Sequence, residues 1–150
     1  MSGLKLDVGY SSRRPWAPSP RLLTRWATAA LSPLRKQWAL SIRVVGDRRS
    51  RSLNARYRSL DRPTNVLSFA GAGSAPDGRN FLGELVICAP LVAREARAQN
   101  KTLEAHWAHM TVHGVLHLLG FDHARRAEAE KMASREIQIL DRLGISDPYR

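Results

Sequence analysis

The sequence contains little of what secreted, membrane-spanning or disordered proteins require. Cys88 is the only cysteine among 150 residues, so the chain cannot form an internal disulfide, and a cytoplasmic location is expected. No run of about 18 apolar residues occurs, and residues 1–30 lack the uncharged apolar stretch of a signal peptide. Hydrophobic residues make up 43% of the chain and charged residues 25%, which is typical of a folded soluble protein. We therefore expect one domain over residues 1–150 and no membrane partner.

Acidic residues are also scarce. The chain has 13 of them and 24 Lys and Arg residues, which gives a net charge of +11. Residues 1–62 contain 14 cations and three acids, whereas residues 63–150 contain ten of each. Guanidinium groups bind phosphate well, so a one-sided excess of Arg favours a nucleic-acid partner. The alternative is a general contribution to solubility.

Hydrophobic periodicity predicts four strands and five helices. The strands are predicted at residues 4–8, 38–45, 66–69 and 81–88. The helices are predicted from the Ser19 cap to Pro33, at 48–58 after an Asp47 cap, from Pro90 to about Asn100, from the Thr102 cap to about Leu119, and at 124–143 before Gly144. On the second helix, Leu53 and Tyr57 are expected to point inward. This pattern predicts an α/β (α+β) fold, with a mixed, mostly four-stranded sheet packed with about five helices.

All five histidines lie between residues 106 and 123, and three follow the pattern H-x-x-x-H-x-x-G-x-x-H. His113 and His117 are one helical turn apart, with Cβ atoms about 6 Å apart, so they can share a metal ion. Gly120 allows the left-handed turn that would bring His123 back towards them. Three imidazoles leave a fourth position open, as in catalytic zinc sites. We predict one zinc ion per chain, bound by these three histidines.

The predicted histidine helix is apolar nearly all round, so its other polar side chains need partners. His106 and His109 lie on the same strip as the metal-binding pair. We expect hydrogen-bonding roles for both, with His109 and Asp122 supporting the ligand imidazoles from behind.

The histidine pattern is also similar to that of the metzincin proteases, which gives the site a zincin-like character. Those enzymes place a Glu directly after the first histidine as the general base. Gly114 occupies this position here, so a peptidase would lack its base unless Glu84 or Asp122 replaced it. The alternatives are that Asp122 orients a ligand imidazole and that Glu84 is a strand residue facing solvent or an Arg.

The segment HGVLHLLGFDH, residues 113–123, resembles the signature of the YbeY family, which comprises bacterial endoribonucleases and rRNA maturation factors. LNARYRSLDRPTNVLSF at 53–69 and LGELVICAP at 82–90 resemble the family in order and spacing. The resemblance implies a zinc-dependent endoribonuclease specific for single-stranded RNA. Its implied roles are rRNA processing, notably 3′-end maturation of 16S rRNA, and ribosome quality control. The implied partners are rRNA, the small ribosomal subunit and assembly factors, with no DNA.

The resemblance also assigns roles to residues. By motif position, it implies that Arg58 and His113 are catalytic. Arg58 can offer two parallel hydrogen bonds to the scissile phosphate. Its alternative is an ion pair with Asp61 or simple exposure to solvent. The candidate RNA contacts are Arg62, Asn65 and Ser68, and for the last two the alternative is turn chemistry beside Pro63.

Two other functions stay open at this point. One is a metallopeptidase with metzincin-like site geometry, and the other is a non-catalytic ribosome-assembly factor whose metal is structural. The nuclease interpretation makes a spatial prediction: the N-terminal arginines should border the groove in front of the metal-binding histidines. A basic surface on the opposite side of the fold would weaken it.

Overall fold

A computed structural model describes residues 3–32, 34–122 and 124–150 of the chain. Within these ranges the elements are β1 (Leu4–Tyr10), α1 (Pro20–Leu31), β2 (Trp38–Val45), α2 (Asp47–Arg58), β3 (Val66–Ala70), β4 (Asn80–Cys88), α3 (Ala89–Ala98), α4 (Leu103–Leu118) and α5 (Arg126–Arg142). The predicted α/β class, with four strands and five helices, is confirmed. No helix in these ranges is long and apolar enough to cross a bilayer.

The four strands form one mixed sheet in the order β1-β2-β4-β3. β1, β2 and β4 run parallel, with Ile42 opposite Leu85, and β3 is an antiparallel edge strand. Along β2 and β4, alternate side chains point to opposite faces of the sheet. We call the face that carries Ile42 and Leu85 the closed face, and the face that carries Arg43, Glu84 and Val86 the open face.

The main core lies on the closed face, beneath α1 and α4. Trp26 of α1 and Trp107 of α4 are buried there against Ile42 and Leu85. At Gly114, an added Cβ would lie 2.8 Å from Cδ2 of Leu85. The glycine therefore lets α4 lie directly on the sheet, which fixes the position of the histidine row.

Two of the predicted helix caps are present. Ser19 Oγ accepts a hydrogen bond from the Leu22 amide at 3.3 Å, and Thr102 Oγ1 accepts one from the Ala105 amide at 3.1 Å. Pro33, the predicted end of the first helix, lies outside the described residues. The predicted Asp47 cap is wrong, because α2 begins one residue earlier than expected and Gly46 is its N-cap. The Asp47 carboxylate instead accepts two hydrogen bonds from Arg94 on α3, at 2.9 and 3.0 Å.

The inward face of α2 also differs from the prediction. Tyr57 is 48% exposed, and the buried positions of α2 are Ser50 and Asn54. Ser50 Oγ donates to the Thr64 carbonyl and Asn54 Nδ2 to the Arg62 carbonyl, both at 2.9 Å. Polar side chains on α2 thus hold the segment that leads into β3. α2 lies over the open face, where a small second cluster forms from Val45, Leu67 and Val86, with Leu53 and Phe69 packed against it.

Candidate metal centre and its surroundings

α4 arranges four imidazoles in one row along its length. The ring centroids of His106 and His109 are 6.1 Å apart, those of His109 and His113 are 6.2 Å apart, and those of His113 and His117 are 4.8 Å apart. His113 and His117 are therefore the two neighbouring rings of the row that lie closest together. The third histidine of the motif, His123, lies outside the described residues, so the three-histidine site stays a prediction.

A buried carboxylate, which the sequence analysis missed, lies beside this row. Glu136 of α5 is 0% exposed. Its carboxylate lies 3.2 Å from His109 Nε2 and 3.0 Å from His113 Nδ1, and it accepts a 2.5 Å hydrogen bond from the Tyr149 hydroxyl. Burial raises the pKa of Glu136, but the hydrogen bonds from His109, His113 and Tyr149 outweigh burial and lower the pKa to about 2. Glu136 is therefore ionised at neutral pH.

The charge on Glu136 sets the tautomers of its neighbours. A carboxylate only accepts hydrogen bonds, so His113 carries its proton on Nδ1 and directs it at Glu136. The lone pair of His113 is then on Nε2, on the other side of the ring. Burial lowers the pKa of His109, so His109 donates to Glu136 as a neutral imidazole. A carboxylate behind an imidazole is how proteins orient metal-binding histidines.

The same side chains offer a second possible metal position. One ligand atom from each of His109, His113 and Glu136 lies within 4.8 Å of the other two. Neutral imidazoles and an ionised carboxylate are all zinc ligands. His113 belongs to this set and to the predicted three-histidine set, so the donor chemistry around it fits a zinc ion in either arrangement.

A second network holds the start of the histidine row. His106 Nε2 lies 2.9 Å from Glu95 Oε1, and Asn65 Nδ2 donates to both Glu95 oxygens at 3.2 Å. Burial raises the pKa of Glu95, but the hydrogen bonds from His106 and Asn65 lower it below its usual range. The expected hydrogen-bonding role of His106 is confirmed. Asn65, a candidate RNA contact, directs its amide at Glu95.

Arg58 lies at the C-terminal end of α2, next to the free edge of β3. Its Nη2 donates to the Ser68 carbonyl at 3.1 Å. The Ser68 hydroxyl in turn donates to the Gly114 carbonyl at 3.5 Å. The suggested ion pair between Arg58 and Asp61 is wrong, because Asp61 accepts two hydrogen bonds from Arg51, at 2.7 and 3.0 Å. The structure therefore brings Arg58 and Ser68 to the edge strand that contacts the histidine helix.

The remaining candidates are distributed around this centre. Asp122 is exposed at the end of the motif and accepts a hydrogen bond from the Ala124 amide, and Arg62 is also exposed. Glu84 lies on the open face, where it contacts Ser41 and Arg43. The alternative, that Glu84 is a strand residue facing an Arg, is confirmed. The sheet separates its carboxylate from α4, so Glu84 does not replace the protease base.

The position that carries the general base in metzincins has no space for a side chain in this structure without a shift of its neighbours. Gly114 stands where metzincins carry Glu, and an added Cβ would lie 2.8 Å from Leu85 and 3.3 Å from Val66. A side chain at this position would have to displace Leu85 of the sheet. This packing argues against a metzincin-like peptidase.

The basic residues do not gather where we expected them. A groove of about 1350 Å³ lies on the open face, and Arg43, Arg48 and Arg49 line it. α2 and α4 cover opposite faces of the sheet, so these arginines cannot border the histidine row, and the spatial prediction is wrong for them. Of the N-terminal arginines, Arg58 lies at the edge between the two faces.

Comparison with known proteins identifies the family. Residues 19–144 match the protein family described as Endoribonuclease YbeY. The fold is also similar to the solution structure of TM1509 from Thermotoga maritima, with a TM-score of 0.59 and 22% sequence identity over 93% of this chain and 92% of that one. The family match spans α1 to α5, including the histidine motif and Arg58. The chain therefore belongs to the YbeY family of endoribonucleases, which are RNA-cleaving hydrolases.

Proposed function

We propose that this endoribonuclease is zinc-dependent and cuts single-stranded RNA during rRNA processing. The observation that carries the proposal is the buried, ionised Glu136, which holds His113 by Nδ1 beside His117. Family membership supports RNA as the substrate. By resemblance, we extend the proposal to the 3′ end of 16S rRNA, to ribosome quality control with the small subunit and assembly factors, and to a cytoplasmic location.

We place the zinc ion on His113 and His117, with His123 as the third ligand by motif position. His113 presents Nε2 on the side of its ring away from Glu136, whereas a metal among His109, His113 and Glu136 would replace two hydrogen bonds that satisfy buried groups. When bound, zinc supplies Lewis acidity, which stabilises charge on a phosphoryl oxygen and lowers the pKa of water to about 7.

The protein side chains position the RNA and the ligands. Glu136 fixes the ring of His113 and places a negative charge behind it that balances positive charge at the metal. Arg58 is exposed, and it uses Nη1 and Nη2 on backbone carbonyls that hold the guanidinium over the edge of β3. A guanidinium held in this way can stabilise the charge that develops on the scissile phosphate.

Metal analysis and RNA cleavage together test this function. We expect about one zinc ion per purified chain, measured by mass spectrometry, and cleavage of single-stranded RNA but not of duplex RNA. His117→Ala should lose both the zinc and the cleavage. If this variant keeps its zinc and its activity, then the metal lies elsewhere and the proposal is wrong.

Arg58→Ala tests the phosphate contact separately from the metal. Its control is Arg25→Ala, an exposed arginine on α1 and outside the proposed RNA contacts. We expect Arg58→Ala to keep its zinc and lose cleavage by roughly a hundredfold, as for loss of one transition-state hydrogen-bond donor, with the control unchanged. Intact rRNA processing in cells that carry only Arg58→Ala, with ligand variants that fail to fold, would instead indicate an assembly factor with a structural metal.

A further inference from the structure

The groove on the open face, with a volume of about 1350 Å³, has no role in the metal site. α2 forms one wall, and the floor comes from β2 and β4. From Arg48 to Tyr57, α2 covers about 14 Å along this groove at 1.5 Å per residue. The residues that matter for its chemistry are Arg43, Arg48, Arg49, Tyr57 and Phe69.

The groove is positively charged, because three arginines line it against two acids and both acids are paired. Asp47 is held by Arg94, and Glu84 lies 3.8 Å from Arg43. Arg48 and Arg49 are exposed, and no carboxylate within the described ranges lies close enough to form an ion pair with either. Two neighbouring, unpaired guanidinium groups are suited to a chain of phosphates.

The groove also carries aromatic rings. At one end, Tyr57 is 48% exposed and packs edge-on against Phe69, with ring centroids 5.2 Å apart. Rings and arginines along a basic groove are typical of surfaces that bind unpaired nucleic-acid strands, because bases stack on the rings while phosphates meet the arginines.

The Tyr57 end of the groove leads towards the histidine row. The Arg58 guanidinium lies 5.5 Å from the Phe69 ring and donates to the Ser68 carbonyl. Ser68 points to α4 on the other side of the strand, where its hydroxyl contacts the Gly114 carbonyl. Only the edge strand β3 therefore separates the groove from the histidine helix, and Arg58 lies at the crossing.

We propose that the open-face groove binds a single-stranded RNA segment that continues across the β3 edge at Arg58 to the metal centre. This inference rests on the proposed function and adds the path of the substrate. It also gives a role to two arginines that lie away from the histidine row: Arg48 and Arg49 bind the phosphates that flank the cleavage site. Unpaired RNA is the expected occupant, because a base must leave its helix to stack on Tyr57.

Binding measurements with two matched double variants test the path. The probe is a fluorescent 2′-O-methyl RNA of about 12 nucleotides, long enough for a single-strand site and resistant to cleavage. Arg48→Ala/Arg49→Ala removes two charges from the groove. The control, Arg21→Ala/Arg25→Ala, removes two exposed charges from α1, on the other side of the sheet. Fluorescence anisotropy over a range of salt concentrations gives the affinity and its salt dependence.

Each phosphate contact on a single strand contributes about 0.7 to the slope of log affinity against log salt. The groove variant should therefore have a slope smaller by about 1.4, which at ~0.1 M salt corresponds to about 25-fold weaker binding. The control should keep the slope of the original protein. Tyr57→Ala should also weaken binding, whereas Tyr57→Phe, which keeps the ring, should not.

Equal losses in the two double variants would mean general charge attraction and would overturn the proposal, as would unchanged binding in the groove variant. The binding assay needs no cleavage. If the binding prediction fails, the zinc and cleavage results still test the proposed function. If cleavage is absent, the binding result still tests the RNA path.

Discussion

Replacement of Glu136 by Gln perturbs the centre at its most buried point with little change of shape. The carboxylate is 0% exposed and receives hydrogen bonds from His109, His113 and Tyr149. A Gln oxygen can accept two of these, and the NH2 group would face the third donor. One unpaired buried donor costs about 1–3 kcal/mol, and the two retained hydrogen bonds lose about 1 kcal/mol in total when the acceptor becomes neutral. We expect a loss of about 3 kcal/mol in the free energy of unfolding.

For a chain of this length, about 3 kcal/mol corresponds to a fall of roughly 9 °C in Tm. Thermal melting of metal-depleted Glu136→Gln measures this loss without any contribution from bound zinc. Chelator competition then measures zinc affinity, which should fall by about 10–100-fold as the orientation of His113 is lost. Tyr149→Phe is the control, because it removes one donor and keeps the carboxylate; it should cost about 1 kcal/mol. A Glu136→Gln protein that melts and binds zinc like the original would refute the reasoning.

Two further predictions concern packing and pH. Gly114→Ala should lower the free energy of unfolding by about 1 kcal/mol, because overpacking against Leu85 costs about 1–3 kcal/mol and the better helix propensity of Ala returns about 1; an equal or higher Tm would show that α4 is not held against the sheet. Glu95 has a pKa below its usual range, so its stabilisation is present above the ordinary Glu pKa of about 4.3 and is lost as pH falls through the lower folded value. Urea unfolding at a series of pH values should therefore show a shallower acid decline for Glu95→Gln, and identical declines would contradict the assignment.

Local signals predicted most of the secondary structure. Ser19 and Thr102 cap their helices through hydrogen bonds to amides three residues along the chain, so a short window of sequence contains both partners. The Asp47 prediction failed because Arg94, 47 residues away, binds the carboxylate. Tyr57 was placed inward because helical periodicity identifies an apolar face, but the open face of the sheet offers only a small cluster for that face to cover.

The candidate site could be predicted only where its residues lie close together in sequence. Spacing alone placed His113 and His117 side by side. Glu136 was missed because only the apolar residues of the last helix were counted, although it lies four residues from the buried Met132 and Leu140. A carboxylate within a buried stripe needs hydrogen-bonding partners, and that was the available signal. Its partners on α4 and at Tyr149 follow from tertiary packing.

The most direct test of the metal centre is anomalous X-ray scattering at the zinc edge from crystals of the zinc-loaded protein. We predict one peak per chain, within about 2.1 Å of His113 Nε2 and of a His117 nitrogen, with Glu136 still hydrogen-bonded to His113 Nδ1. A peak coordinated by His109, His113 Nδ1 and Glu136, or no peak at these side chains, would contradict the proposed centre.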